Sequence, residues 1–225
     1  MEVGFIWKGI HNNEKGLKII SLPSITTPEK REEKIIIPGR DGYLTQSDGS
    51  YEGEVKPVEF DYFDDRFDDI KQWLTGSGEV IFSNEPDRYY KARIINKLDL
   101  ARVLEKFHSG IIQFDCQPFG YLQEESLQII TPTTIYNQTN KDSEPYIRVY
   151  GSGTITLNIN DKVIKFTNVE NYIEIDSELM ECYKNNTPLN NHMYGEFPIF
   201  QVGENKISWT GNVSKIEITP RWRCS

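Results

Sequence analysis

Three histidines, three cysteines and a crowd of aspartates are the residues of this 225-residue chain whose types could do chemistry, and their spacing argues against most of it. His11, His108 and His192 are scattered, and none has a second histidine or a cysteine at helical or turn spacing. A Ser-His-Asp set can assemble from distant residues, but no Gly-x-Ser-x-Gly elbow is present to mark a nucleophile. Cys116, Cys182 and Cys224 form no Cys-x-x-Cys pair, so a zinc ribbon or a dithiol redox motif is excluded by spacing, and the three read as reduced thiols packed as small apolar groups. Asp61, Asp64, Asp65, Asp68 and Asp69 have the composition of a calcium loop without its order. Such a loop alternates its ligands around a central glycine and closes on a glutamate, whereas Phe63 and Phe67 interrupt these at helical spacing. Paired carboxylates for glycoside hydrolysis can be found anywhere in so acidic a chain and carry no weight. No catalytic residue, metal site or cofactor is expected.

Two further groups could bind rather than react. Gly39-Arg40-Asp41-Gly42 offers backbone donors beside an arginine, but it has neither the spacing of a P-loop nor a helix directly behind it. It reads instead as a tight loop whose Arg40 and Asp41 pair locally or across a subunit boundary. Trp209 and Trp222, with Tyr172, Tyr183 and Tyr194, are candidate platforms for sugar rings, although aromatic residues in strands more often fill a core.

The elements that must position these residues fall into two halves. Ile35, Ile36 and Ile37 run into Pro38-Gly39 and then Asp41-Gly42, which predicts a buried strand ending in a built turn, with Asp48-Gly49 repeating the device. Before it, Val3–Trp7 and Leu17–Leu22 read as strands, and the charged stretch 26–34 as a loosely packed arm. After it, Glu54–Phe60 is extended, with Pro57 placing it at an edge or bulge. Phe63, Phe67, Ile70 and Leu74 then recur at i, i+4, i+7 and i+11 with Trp73 beside them, predicting a helix over 61–76 capped by Gly76. Strands follow at 79–82, 89–95 and 110–116, the last broken by Pro118. From Leu127 onward no helical stripe appears. Short alternating runs, with an Asn160-Asp161 turn, at 155–159, 162–166, 173–176, 198–202, 206–209 and 214–222 predict a β-sandwich. The fold class is therefore mainly β: an α+β, barrel-like N-terminal domain with one helix over residues 1–125, and a sandwich over 126–225.

Composition narrows the partners. No apolar run approaches the ~20 residues that span a bilayer, so a soluble chain without membrane insertion is expected. Residues 1–125 carry 16 Lys and Arg against 23 Asp and Glu. That balance disfavours nucleic acid as a bound ligand, because affinity for phosphate backbones comes mainly from cationic side chains. It suits a surface that DNA passes without sticking.

In order and spacing, several motifs together resemble the distal tail protein family of long-tailed, non-contractile bacteriophages and of prophages in Gram-positive bacteria. They are residues 37–42, Trp73-Leu74 with Gly76 and Gly78, Phe82 to Tyr90, Phe114 to Pro118, Pro145 to Gly153, Ile173 to Asp176, Phe197-Pro198 with Gly203 to Asn205, and Ile216 to Trp222. The resemblance spans nearly the whole chain. It implies that residues 1–125 form a ring of six copies and that residues 126–225 make a galectin-like sandwich. It also implies a structural role in the virion: a hub at the tail tip or baseplate that joins the tail tube protein to tail-tip or receptor-binding proteins, around a channel for the tape measure protein and DNA. Synthesis in the host cytoplasm goes with that role. Pro38, Gly39, Arg40, Asp41, Gly42, Phe63, Phe67 and Trp73 become subunit-interface candidates. Two departures stand out: the stretch from Asn137 to Asn140 lacks the glycine of the family's turn, and the chain has no room for an inserted carbohydrate-binding module. The alternative is a carbohydrate-binding host-adsorption component using Trp209 and Trp222.

Overall fold

The structure is a computed structural model that describes residues 2–63, 67–96, 101–104, 107–123 and 125–225. The protein is mainly β and divides into two compact units, Met1–Gly120 together with Ser225, and Tyr121–Cys224.

The first unit contains β1 (Phe5–Trp7), β2 (Ile10–His11), β3 (Leu17–Ser21), β4 (Lys30–Ile35), β5 (Leu44–Tyr51), β6 (Glu54–Tyr62), helix α1 (Phe67–Trp73), β7 (Ser77–Phe82), β8 (Arg88–Ile94), β9 (Ala101–Leu104) and β10 (Phe107–Leu122), the last running on into the second unit. The main sheet has the order β2-β1-β7-β8-β10-β6-β3, while among the described residues β4 and β5 pair only with each other. Strand periodicity sorts the side chains. Val58, Phe60 and Tyr62 on β6 and Ile112, Phe114 and Cys116 on β10 turn to one face and are buried with Phe5, Trp7, Val80 and Phe82. Helix α1 closes that face with Ile70, Trp73 and Leu74. The Trp73 ring stacks on Phe5 at 5.7 Å, and the two tryptophans exchange hydrogen bonds: Trp7 Nε1 donates to the Trp73 carbonyl at 3.0 Å and Trp73 Nε1 to the Trp7 carbonyl at 3.2 Å. Burying two indoles with both N–H groups satisfied is what makes them stable anchors between helix and sheet. Gly76, at φ +72°, ends the helix, and Lys8 Nζ caps its C-terminal end by donating to the Thr75 carbonyl at 2.7 Å.

Several expectations change here. The helix is shorter than 61–76 because Asp61 and Tyr62 belong to β6, where Tyr62 fills the core; Asp64 and Asp65 lie outside the described residues. Val3 is exposed, and β1 starts at Phe5. Pro118 does not break β10. It lies beyond the last pair with β6, Cys116 with Glu54, so its missing N–H costs that ladder nothing. Pro57 sits as expected, in the part of β6 that β3 leaves uncovered, since β3 pairs only with residues 59–62. The largest correction concerns residues 30–37, described below.

The second unit contains β11 (Leu127–Ile129), β12 (Thr133–Asn137), β13 (Tyr146–Ile159), β14 (Lys162–Val169), β15 (Tyr172–Asp176), β16 (Glu181–Lys184), β17 (Thr187–Pro188), β18 (Met193–Tyr194), β19 (Gly203–Thr219) and β20 (Arg223–Cys224). Its sandwich comes from one sheet curled over itself. The first half of β13 (146–150) pairs with β15 and with the end of β19, which also carries β11; the second half (155–159) pairs with β14 and with the start of β19, which also carries β12. Both long strands shift register between the two halves. Glycine makes the corner: a Cβ on Gly151 would lie 2.2 Å from the Asn212 carbonyl oxygen, and one on Gly211, at φ +103°, 2.5 Å from the Thr154 carbonyl oxygen. Alternate residues of the two layers, among them Ile147, Val149, Ile216 and Ile218 from one and Ile155, Leu157, Phe166 and Ile207 from the other, make one buried cluster.

The expected strands at 206–209 and 214–222 are thus two parts of β19, and 198–202 contributes only a bridge between Phe200 and Ser143. Asn160-Asp161 is the expected two-residue turn, with Asn160 at φ +54°. At 137–140 no glycine is needed, because the buried Asn137 side chain builds the turn itself. Its Oδ1 accepts from the Thr139 N–H at 3.0 Å and its Nδ2 donates to the Lys141 carbonyl at 2.9 Å.

Candidate functional site

The β4–β5 hairpin is the part of the chain whose local order exceeds its burial. Its pairs run from Lys30 with Tyr51 to Ile35 with Leu44, with a register shift where β5 carries Asp48-Gly49-Ser50. Asp48 holds that bulge by accepting from the Ser50 N–H at 2.8 Å, and its carboxyl lies below the usual range because of its bonds to Ser50. At the tip, the Arg40 N–H donates to the Ile37 carbonyl at 3.2 Å across Pro38-Gly39, with Gly39 at φ +83°. Proline at the second turn position and a positive-φ glycine at the third are the residues a type II turn requires. Gly42, at φ +80°, turns the chain again. A Cβ on either glycine would meet nothing within 4 Å, so both serve backbone conformation rather than space.

The tip is apolar and uncovered. Every residue of β4 is exposed, and so are Ile36 (76%), Ile37, Tyr43 and Leu44. Lys34 Nζ lies 4.9 Å over the Tyr43 ring, and Arg31 pairs with Glu52 at 2.7 Å near the base. The Arg40 and Asp41 side chains, in contrast, have no partner within the described residues. The expectation of a buried isoleucine strand is therefore overturned; the stretch 26–34, expected as a loosely packed arm, contains most of an exposed strand, residues 30–35. A lone two-stranded ribbon is at best marginally stable in water, and a contiguous exposed apolar tip marks a surface made to be covered.

The remaining candidates separate by burial. Trp73 is buried in the core of the first unit. Phe63 is 55% exposed, and the side chain of Phe67 lies outside the described residues. Trp222 is buried against Phe200, rings 5.6 Å apart, and presents no face to a sugar; Trp209 is half-buried against the same core. His11 Nδ1 caps a short 3₁₀ turn by accepting from the Asn13 N–H, His192 Nδ1 lies 3.0 Å from the Thr167 carbonyl oxygen, and His108 is buried. Burial pushes the Cys116 and Cys182 thiols up to about 12, away from nucleophilic character. Among the described residues no group of three or more His, Cys, Asp or Glu side chains could hold a metal ion.

Two buried carboxylates of the second unit are engaged by arginines. Glu174 Oε1 accepts from Arg148 Nη2 at 2.7 Å and from the Tyr146 hydroxyl, and Asp176 takes both Nη atoms of Arg221 at 2.7 Å. Burial opposes the charge on both carboxylates, but these bonds outweigh it and hold both below the usual range.

No family model matches this sequence, and no curated protein matches it either. The fold does have a solved counterpart. The SPP1 Dit (gp 19.1) protein, described as a paradigm of the hub adsorption apparatus in phages infecting Gram-positive bacteria, superposes with a TM-score of 0.76 over 96% of this chain and 97% of its own, at 16% identity. This chain has the Dit fold. The correspondence takes in both units, so the fold implied by the resemblance to distal tail proteins is the fold found. The Dit fold is held here by the tryptophan exchange in the first unit and the glycine corner in the second. The exposed hairpin was missed by the isoleucine pattern; the signal that could have found it was its charged and polar sequence, Lys30-Arg-Glu-Glu-Lys34 opposite Thr45 to Ser50.

Proposed function

We propose that this protein is a distal tail hub: a non-enzymatic virion component, made in the host cytoplasm, that closes into a ring of six around the channel and joins the tail tube and tape measure proteins to the tail-tip or receptor-binding proteins. The observation that carries the reading is the likeness to SPP1 Dit over 96% of the chain. The hairpin supports it. One exposed apolar tip meeting a different patch on the next copy is a heterologous contact, the kind that closes into a ring when its rotation permits. On this reading Pro38, Gly39, Arg40, Asp41, Gly42 and Phe63 lie at the subunit boundary, with α1 behind them, residues 1–125 as the ring-forming part and 126–225 as a galectin-like sandwich. The acidic balance of residues 1–125 suits a lumen through which DNA slides.

The test is the solution mass by light scattering across a concentration series, alone and mixed with purified tail tube protein, with negative-stain images of any large species. Six copies of a 26.1 kDa chain give about 157 kDa, and a ring of that mass is the expected result. A chain that stays monomeric alone and with the tube protein overturns the reading.

A further inference from the structure

Four aspartates of the chain are followed by glycine or serine, small neighbours that leave the next backbone nitrogen room to reach the aspartate side chain: Asp41-Gly42, Asp48-Gly49, Asp142-Ser143 and Asp176-Ser177. Such a pair can react with water as its only co-reactant. The nitrogen of the second residue attacks the aspartate Cγ, a carboxyl oxygen leaves as water, and a succinimide ring closes. Water then opens the ring at either carbonyl. Opening at Cγ restores aspartate; opening at the main-chain carbonyl leaves isoaspartate, whose backbone runs through the former side chain. Atoms balance, and nothing is oxidised or reduced. The requirement is geometric: nitrogen and carboxyl must both be free to approach.

Three of the four pairs are held at both ends. In Asp48-Gly49 the Gly49 N–H donates to Ser47 Oγ at 3.2 Å, while Asp48 Oδ1 accepts from the Ser50 N–H at 2.8 Å and from the Ser50 hydroxyl. Those bonds to Ser50 also keep the carboxyl ionised, and it must take up a proton before its oxygen can leave. In Asp142-Ser143 the Ser143 N–H donates to the Phe200 carbonyl at 2.9 Å, and Asp142 Oδ1 accepts from the Val202 N–H at 2.9 Å. In Asp176-Ser177 the Ser177 N–H donates to the Pro145 carbonyl at 3.1 Å, and both carboxylate oxygens take Arg221. Asp41-Gly42 is different. Both residues are exposed, and among the described residues neither the Gly42 N–H nor the Asp41 carboxylate makes a hydrogen bond.

We propose that Asp41 is a site of spontaneous isoaspartate formation, and that Ser47 and Ser50 protect Asp48 from the same reaction. The product lengthens the main chain by one carbon at the hairpin tip and leaves the former main-chain carboxyl as the side group. The tip is thus the place where this protein changes covalently with age. The inference does not rest on the hub reading.

The experiment ages the full chain in neutral buffer at physiological temperature, folded and in urea. Peptide mapping with electron-transfer fragmentation then separates isoaspartate from aspartate at equal mass. In the folded chain isoaspartate should build up about tenfold faster at 41 than at 48, where hydrogen bonds must break first; in urea the two sites should react alike. Asp41→Glu keeps the charge but would need a larger ring, and should abolish the signal at 41. Ser47→Ala combined with Ser50→Ala should raise the rate at 48 toward that at 41 and leave 41 unchanged. The comparison of folded with urea-treated chain needs no variant, so it stands even if the double variant loosens the ribbon. Equal rates at 41 and 48 in the folded chain, no isoaspartate at 41, a difference that persists in urea, or a double variant in which 48 reacts as slowly as before overturns the inference.

Discussion

The β4–β5 ribbon and the β13–β19 pair are both long antiparallel ladders with a register shift at glycine, yet one is exposed but for its base and the other is the spine of a core. The difference lies in alternation and in neighbours. Ile147, Val149, Ile155, Leu157 and Ile159 place their side chains on one face, and β14 and β15 flank the pair, so that face is buried and the backbone groups on the outer side of β13 find partners. In β4 the sequence Lys-Arg-Glu-Glu-Lys-Ile has no such stripe, and among the described residues no third strand pairs with the ribbon. Backbone pairing alone makes a strand; burial requires a stripe and something to cover it. The isoleucines at the ribbon's tip are therefore left exposed, whereas those of β13 are covered.

Three changes would break or sharpen that contrast. The largest effect is expected at the corner. Gly211→Ala forces a side chain onto a backbone carbonyl at a positive φ, and should lower the unfolding free energy of the second unit by about 3 kcal/mol, read by urea denaturation. If the cost is below ~0.5 kcal/mol, the sheet does not need a glycine to fold over itself.

Next comes the Asp176–Arg221 pair at the end of β15. Asp176→Asn should cost about 2 kcal/mol near neutral pH, since it weakens charge-assisted bonds at a buried site. The folded carboxyl lies below its usual value, so the unfolded state binds the proton more readily. The difference between the two proteins is then fully present above the unfolded value near ~4 and shrinks as pH falls through the lower folded one. A gap that stays constant from neutral pH to acid would show that the lost bonds do not depend on the charge.

The smallest effect on folding, and the sharpest test of the ribbon, is Ile36→Asp. Exposed at 76%, it should change stability by less than ~0.5 kcal/mol while removing the large species expected in light scattering. Loss of stability without loss of assembly would mean that the tip packs within its own chain.

Much of this was legible in the sequence. Alternation identified core residues of β10, β13 and β19, and Pro-Gly and Asn-Asp marked turns whose dihedrals match the demands of those residues. The helix boundary was not legible, because the strand residues Asp61 and Tyr62 run directly into the stripe that starts at Phe63, and only the ladder that pairs Tyr62 with His108 assigns them to β6. The contrast between the two Asp-Gly pairs was not legible either. Both read as the same turn device, and only the hydrogen bonds of Ser47 and Ser50 tell them apart.

What the sequence determined by itself is local: where the chain turns and which residues alternate. What the tertiary structure decided is which apolar residues are covered. The same aliphatic side chain is core in β13 and surface in the hairpin, because burial is a property of the neighbours that arrive and not of the residue that waits for them.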